Sequence, residues 1–302
     1  MIIPPYLKAG DTIAITCPAG YMPAENAATC IETLLLEGYR VMAGETLGSA
    51  SQNYFSGTDE ERATEMQYYL DDKNIKAILC ARGGYGMSRI IDRLDFKMFL
   101  KHPKWLIGFS DITVLHTHLY SRYKAVSLHA PMAAAFNNGG YSNEYIGSLL
   151  AALRGEKGNY HSAPHALNKT GIAKGKLIGG NLALLAHVTG TASDIKTKNC
   201  ILFLEDIGEQ LYNVDRMLYQ LKRSGKLAHL AGLVIGGFTD MKDTEKPFGK
   251  DVYEIISEII EEYDYPVCFG FPVSHETANV ALKQGAKYKL SVNEGGANLK
   301  ET

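Results

Sequence analysis

Three side chains in this 302-residue chain have the types that acyl transfer needs. Ser110 falls in the turn Phe109-Ser110-Asp111, between the apolar run Trp105-Leu106-Ile107-Gly108 and a helical pattern marked by Ile112, Leu115 and Leu119. A strand that passes into a helix with almost no loop presents the turn's side chain instead of burying it, and so displays a nucleophilic serine. Alternatively Ser110 only caps the helix, a common use of serine. A serine nucleophile also needs a base to take its proton, an acid to orient that base, and donors for the oxyanion. His275 follows Gly270-Phe271-Pro272 after an apolar run and suits the base, although many loop histidines are structural. His129, which ends a strand-like run in the same half as Ser110, is an alternative base, or else a core or substrate-positioning residue. Glu205 ends the apolar run Cys200-Ile201-Leu202-Phe203-Leu204, where an unpaired carboxylate is costly and a histidine would satisfy it. Pairing with Arg216 would make Glu205 structural instead, and Asp206 rivals it for the orienting role.

The backbone amide of Asp111, at a helix start just after the nucleophile, is the natural first oxyanion donor. Gly84, in Arg82-Gly83-Gly84-Tyr85-Gly86, offers a second amide, because glycine removes the steric obstacle to close approach. A dinucleotide loop fits this turn poorly: the third glycine would fall on Arg89, and no acid follows a strand at the required distance. Among nine histidines, His116 and His118 are the tempting metal pair, but residues two apart on a helix diverge. There is no H-E-x-x-H or C-x-x-C, so no metal is expected.

These residues must be held by an alternation of strands and helices. Strand-like runs at Thr12–Cys17, Tyr39–Ala43, Ile75–Cys80, Trp105–Gly108 and Ala125–His129 are separated by helical patterns, one opened by a capping box at Thr58 and Glu61. This order predicts an α/β fold with a parallel sheet, whose site lies beyond the carboxyl ends of the strands. The N-terminal domain is expected over 1–154, closed by a helix from Asn143 to Arg154. A polar stretch over 155–174 reads as a linker, and 175–302 as a second domain with strands at Gly175–Ile178, Cys200–Leu204, Leu233–Ile235 and Val267–Phe269. Asn181 is expected to cap a helix, and Leu211, Val214, Leu218 and Leu221 mark a further helix.

The composition, 46% hydrophobic and 21% charged, belongs to a globular protein. A net charge of -2 and a pI near 6.5 provide no field for nucleic acid or an acidic membrane. The five cysteines never form a C-x-x-C pair and four lie in apolar runs, as expected of buried reduced thiols. With neither a signal-like start nor a spanning apolar run, a cytoplasmic protein is expected.

Taken together, Tyr54-Phe55-Ser56-Gly57-Thr58-Asp59, Arg82-Gly83-Gly84-Tyr85-Gly86, Gly108-Phe109-Ser110-Asp111, Gly179-Gly180-Asn181-Leu182, Leu204-Glu205-Asp206 and Gly270-Phe271-Pro272 with His275 resemble, in this order, the LD-carboxypeptidase family of serine peptidases. The resemblance spans nearly the whole chain. It implies a Ser110, Glu205, His275 triad, with the nucleophile in an N-terminal Rossmann-like domain of the class I glutamine amidotransferase type. The acid and base would lie in a C-terminal swivelling β/α domain, here the LD-carboxypeptidase domain. It further implies a homodimer that needs no cofactor and releases the terminal D-Ala from peptidoglycan tetrapeptides. A microcin C type immunity peptidase, acting on peptidyl-adenylate conjugates, and a non-catalytic muropeptide-binding module are the alternatives. Recognition of a free carboxylate calls for a cation near the cleft, for which Arg82 and Arg216 are candidates. Ala130 and Ser274 stand where the family pattern expects glycine. An α/β-hydrolase elbow would want glycine where this chain has Ile112.

Overall fold

The computed structural model describes residues 1–51 and 53–302. Five parallel strands, β1 (Thr12–Thr16), β2 (Arg40–Ala43), β3 (Ile75–Cys80), β4 (Trp105–Gly108) and β5 (Ser127–His129), lie in the order β2-β1-β3-β4-β5. The order reverses between β1 and β3, leaving a crevice at the carboxyl ends. The central strands β1, β3 and β4 carry near-continuous apolar runs because they are buried on both faces, whereas the edge strand β2 is exposed at Arg40 and Ala43. Successive side chains alternate between those faces, so Ile13, Ile15, Leu79 and Ile107 share one core with Cys30 and Leu34 from α1 (Ala28–Leu36). Ala14, Ile78 and Leu106 share the other with Met66 and Leu70 from α2 (Asp59–Asp71). The expected capping box opens α2: the Thr58 hydroxyl accepts from the Glu61 amide at 3.2 Å, and the Thr58 amide donates back to Glu61 at 2.7 Å. Short helices α3 (Met87–Ile90), α4 (Lys97–Lys101) and α5 (Thr113–His118) follow, then the expected helix α6 (Glu144–Arg154), capped by Asn143.

The second sheet contains β6 (Asn159–Ser162), β7 (Gly171–Asn181), β8 (Cys200–Ile207), β9 (Gly232–Thr239) and β10 (Val267–Cys268). Strands β7 to β10 are parallel. Against one face pack α7 (Leu182–His187), α8 (Leu211–Arg223) and α9 (Val252–Ile259), through Leu185, Leu218 and Ile256 among others. Asn181 caps α7, accepting from the Leu184 amide at 3.2 Å.

Two features correct the sequence reading. The stretch 155–174 is not only a linker, because it carries β6 and the first residues of β7. Strand β6 is an edge strand with polar residues and little periodicity, and so resembles a loop in sequence. The last part of the chain, in which no strands were expected, forms β11 (Leu282–Gln284), β12 (Lys287–Asn293) and β13 (Gly296–Glu301). The last two extend the second sheet as antiparallel strands between β7 and β6. Strand β11 crosses back and pairs antiparallel with β5, so that the first sheet is finished by the end of the chain.

Candidate active site

Strand β4 delivers Ser110 into a tight elbow. The chain leaves the sheet at Gly108, turns, and enters a 3-10 turn over Ser110–Ile112 that continues as α5. Ser110 has φ of +62°, in the left-handed region, and its side chain makes no capping bond to the helix. The capping alternative is therefore not what the serine does here. A β-carbon in this region is strained by roughly 1 kcal/mol or more, a cost carried where surrounding structure enforces it. That enforcement comes from Asp111, whose buried carboxylate accepts from the Met87 amide at 2.7 Å and so ties the elbow to the start of α3. Burial raises the Asp111 pKa to about 6, although the Met87 amide and the Arg62 charge pull it down.

The glycine turn after β3 packs directly on the elbow. A β-carbon at Gly83 would lie 2.9 Å from that of Ser110 and 3.4 Å from the Asp111 amide nitrogen, so the missing side chain leaves open the space in front of the serine. Gly84 has φ of +92°, which glycine adopts without penalty. The turn is held from beneath by Arg62, a fully buried residue that sequence reasoning missed. Its Nη1 donates to the carbonyls of Pro18 at 2.6 Å and Gly86 at 3.2 Å, while Asp59 balances its charge. Position 62 lies on the face of α2 toward the core, which was the only signal available.

Across the crevice, the end of β8 brings Glu205 to the loop after β10. Glu205 is fully buried, and its Oε2 accepts from His275 Nδ1 at 2.6 Å. The His275 ring meets Phe109 edge-on with centroids 4.9 Å apart, which sets the imidazole beside the residue preceding Ser110. Its Nε2 is buried and unpartnered, and no hydrogen bond joins it to Ser110. Burial disfavours the charged ring, but the Glu205 hydrogen bond and the charges of Glu205 and Asp206 outweigh it, raising the His275 pKa. Ser274, in place of the expected glycine, organises this loop: its hydroxyl donates to Ala278 O and accepts from the Glu276 amide, both at 3.0 Å.

Asp206 is turned away from His275. Alternation along β8 sends it to the other side, where its carboxylate accepts from Asn181 Nδ2 at 2.7 Å, the Ala183 amide at 2.9 Å and its neighbour Ile207's amide at 2.8 Å. Burial, followed by repulsion from Glu205, raises its pKa to about 7. The Asn181 amide in turn donates to Thr113 Oγ1 at 3.2 Å, linking the end of β7 to the helix that follows Ser110.

Other candidates fall elsewhere. Arg216 is exposed on α8 opposite its buried face, bonded to Asn213 and stacked on Tyr212 at 5.4 Å, and forms no ion pair with Glu205. His116 bonds Ser127 Oγ and the Gly108 carbonyl, both at 2.8 Å, while His118 bonds Ser193 Oγ at 3.0 Å, so the two rings point apart. His129 is fully buried between Phe109 and Phe203, with centroids at 5.7 and 5.0 Å, and bonds to nothing. Arg82 lines a cavity of about 400 Å3 beside His275, Phe109, Asn143, Glu276 and Asn279, with one guanidinium nitrogen donating to Tyr21 O. A larger cavity of about 960 Å3, beside Glu45, Glu61 and Glu65, is lined by none of the candidate site residues.

A strained serine between a strand and a helix of a parallel sheet, faced by a carboxylate–imidazole pair from a second sheet, marks an α/β peptidase of the serine type. Residues 13–130 match the LD-carboxypeptidase N-terminal domain and 174–290 match the LD-carboxypeptidase C-terminal domain. The chain belongs to the LD-carboxypeptidase family. Among curated proteins, it is 32% identical over 296 residues to the probable murein peptide carboxypeptidase of Bacillus subtilis, covering 96% of this chain and 92% of that protein. It is 24% identical to the microcin C7 self-immunity protein MccF of Escherichia coli, covering 98% and 94%. Among solved structures, the muramoyltetrapeptide carboxypeptidase from Oxalobacter formigenes superposes with a TM-score of 0.83 at 31% identity, covering 96% of this chain and 98% of the other.

Proposed function

We propose that this protein is a metal-independent serine carboxypeptidase that releases the terminal D-Ala from peptidoglycan tetrapeptides by hydrolysing the bond to the L-centre of the diamino acid. The observation that carries this reading is the buried Glu205–His275 pair, with a free Nε2, beside the strained Ser110 elbow. Ser110 Oγ attacks the scissile carbonyl carbon while His275 Nε2 takes its proton and then gives it to the leaving amine of D-Ala. A water, deprotonated by the same nitrogen, releases the acyl group from the serine. Glu205 holds the Nδ1–H tautomer and stabilises the imidazolium, and the amides of Asp111 and Gly84 receive the oxyanion. The Ser110–His275 hydrogen bond closes when substrate is bound, as apo serine–histidine pairs commonly do. The scheme uses no metal or organic cofactor.

A base must be neutral, so kcat/KM rises with pH through the raised His275 pKa, and its acid limb lies above the ordinary value for a free histidine. Glu205→Gln moves that limb to lower pH and reduces kcat by about 10²- to 10⁴-fold; a limb that stays in place would contradict the pairing. The microcin-type reading needs a platform for a nucleobase. The chain's one tryptophan, Trp105, does not supply it: it is fully buried, bonded through Nε1 to Pro5 O at 3.0 Å and stacked on Tyr6 at 5.7 Å. A non-catalytic muropeptide-binding module would leave Ser110 unlabelled by a fluorophosphonate.

Five free, buried cysteines support a reducing compartment, in keeping with a cytoplasmic role. Among the described residues, no helix is long and apolar enough to cross a membrane. The homodimer implied by the family belongs to the same proposal. The deciding experiment is mass spectrometry of a muramoyl tetrapeptide incubated with wild type and with Ser110→Ala, with and without chelator. Loss of one alanine in wild type alone, indifferent to chelator, is expected. No loss from folded, probe-reactive protein would redirect the search to peptidyl-adenylates.

A further inference from the structure

Beneath the cavity beside His275 lie two polar side chains that the catalytic scheme leaves unused. His129 has neither ring nitrogen bonded, and Asn279, 3% exposed, has its Oδ1 enclosed and unpartnered. Because β11 pairs with β5 so that Leu282 stands opposite His129, the segment just before β11 brings Asn279 to the same end of the sheet. Asn279 also forms part of the cavity wall. Its amide therefore has one end against the protein and the other toward the cavity. Burial first, then the charges of His116 and His275, keep the His129 ring neutral, and the Asn279 amide acts against them in favour of a ring N–H. A neutral imidazole has one N–H to donate and one nitrogen to accept.

Two other polar side chains on this wall are engaged with the protein itself. Asn143 accepts from the Tyr145 and Ile146 amides and donates to Asn138 O. Arg82 is engaged with Tyr21 O. Glu276 carries the wrong charge for an anionic ligand.

We propose that Asn279 is a specificity-determining residue of the leaving-group pocket. With substrate bound, its Oδ1, unpartnered here, takes the N–H of neutral His129, and Nδ2 is left turned into the cavity to donate to the free C-terminal carboxylate of the substrate, opposite Arg82. The inference rests on the carboxypeptidase reading above and adds to it the group that distinguishes a chain end from an internal peptide. A site built to hydrogen-bond one substrate group rejects analogues lacking it, since its own buried polar atoms are then left unpaired. His129 is a positioning residue here, touching substrate only through Asn279.

The test is steady-state turnover of a free-acid L,D-tetrapeptide and of its C-terminal carboxamide by wild type, Asn279→Ala, Asn279→Asp and His129→Phe, each checked for folding by thermal unfolding. Asn279→Asp keeps an acceptor for His129 but faces the substrate with a carboxylate. It is expected to raise KM for the free acid by about tenfold or more, in line with one charge-assisted hydrogen bond lost and a repulsion added, while KM for the carboxamide changes little. Asn279→Ala and His129→Phe are expected to raise KM for the free acid with kcat nearly unchanged, a split that a general loss of packing would not produce. An unchanged free-acid to carboxamide ratio in Asn279→Asp, beside an active wild type, would overturn the assignment of Asn279. A wild type inert toward both peptides would instead overturn the carboxypeptidase reading on which it rests. If His129→Phe fails to fold, the Asn279→Asp ratio still decides the matter.

Discussion

At the residue scale the most informative quantity is one backbone angle. Ser110 sits at φ of +62°, where a side chain is normally unwelcome, and it does so without the compensation of a capping bond. The strain is the consequence of displaying Oγ at the top of β4 while Asp111 is pulled inward to the Met87 amide. Ser110→Gly is therefore expected to abolish turnover and yet raise the unfolding free energy by about 1 kcal/mol, because glycine takes this angle freely. Ser110→Ala abolishes turnover without that gain. Comparative thermal unfolding of the two variants measures the difference, and equal stabilities would show that the elbow is unstrained.

At the scale of elements, the glycines that looked like turn punctuation prove to be points of contact. At Gly179 a β-carbon would fall 1.9 Å from Phe203 O, and at Gly180 it would fall 2.6 Å from Thr113 Oγ1. Both have positive φ, +150° and +133°. Gly180 is where β7 touches the first turn of α5, next to the Asn181–Thr113 hydrogen bond that aligns the two halves of the site. Gly180→Ala is expected to push them apart, costing roughly 1–3 kcal/mol of stability and a larger share of kcat than of KM. Denaturant unfolding with parallel kinetics checks this, and wild-type kcat in the variant would mean the contact does not set the site. The alternation of strands and helices up to β10 and the capping box at Thr58 were legible locally because each is a pattern within one or two turns. Strands β6, β11, β12 and β13 were not; β6 and β11 are short edge strands that carry neither length nor period.

At the scale of the molecule, the site depends on two sheets meeting, and the junction contains buried carboxylates whose titration the whole fold should feel. Asp206 has its pKa raised from 3.8 to about 7 by burial and by Glu205. A raised folded pKa means that the folded state holds the proton longer than the unfolded chain does. The stability it contributes is then complete below 3.8 and lost as pH rises through about 7. Asp206→Asn, which keeps a carbonyl acceptor for the Ala183 amide, is expected to flatten this decline, worth on the order of a few kcal/mol across the window. Thermal unfolding against pH for the two proteins measures it, and parallel curves would place the titration elsewhere.

The sequence by itself determined the alternation of strands and helices as far as β10, β6 excepted, the elbow around Ser110 and, through ordered short motifs, the family. Those are properties of residues close together in the chain, where spacing and local sterics dictate conformation. Tertiary structure decided between Glu205 and Asp206, because alternation at the end of β8 points one carboxylate to His275 and the other to Asn181. It also buries His129 between Phe109 and Phe203 and leaves Arg216 exposed on α8, bonded to Asn213. His275 and Glu205 are 70 residues apart and are joined by a single 2.6 Å hydrogen bond. Spacing along a chain does not encode such a contact; only the packing of the two sheets creates it.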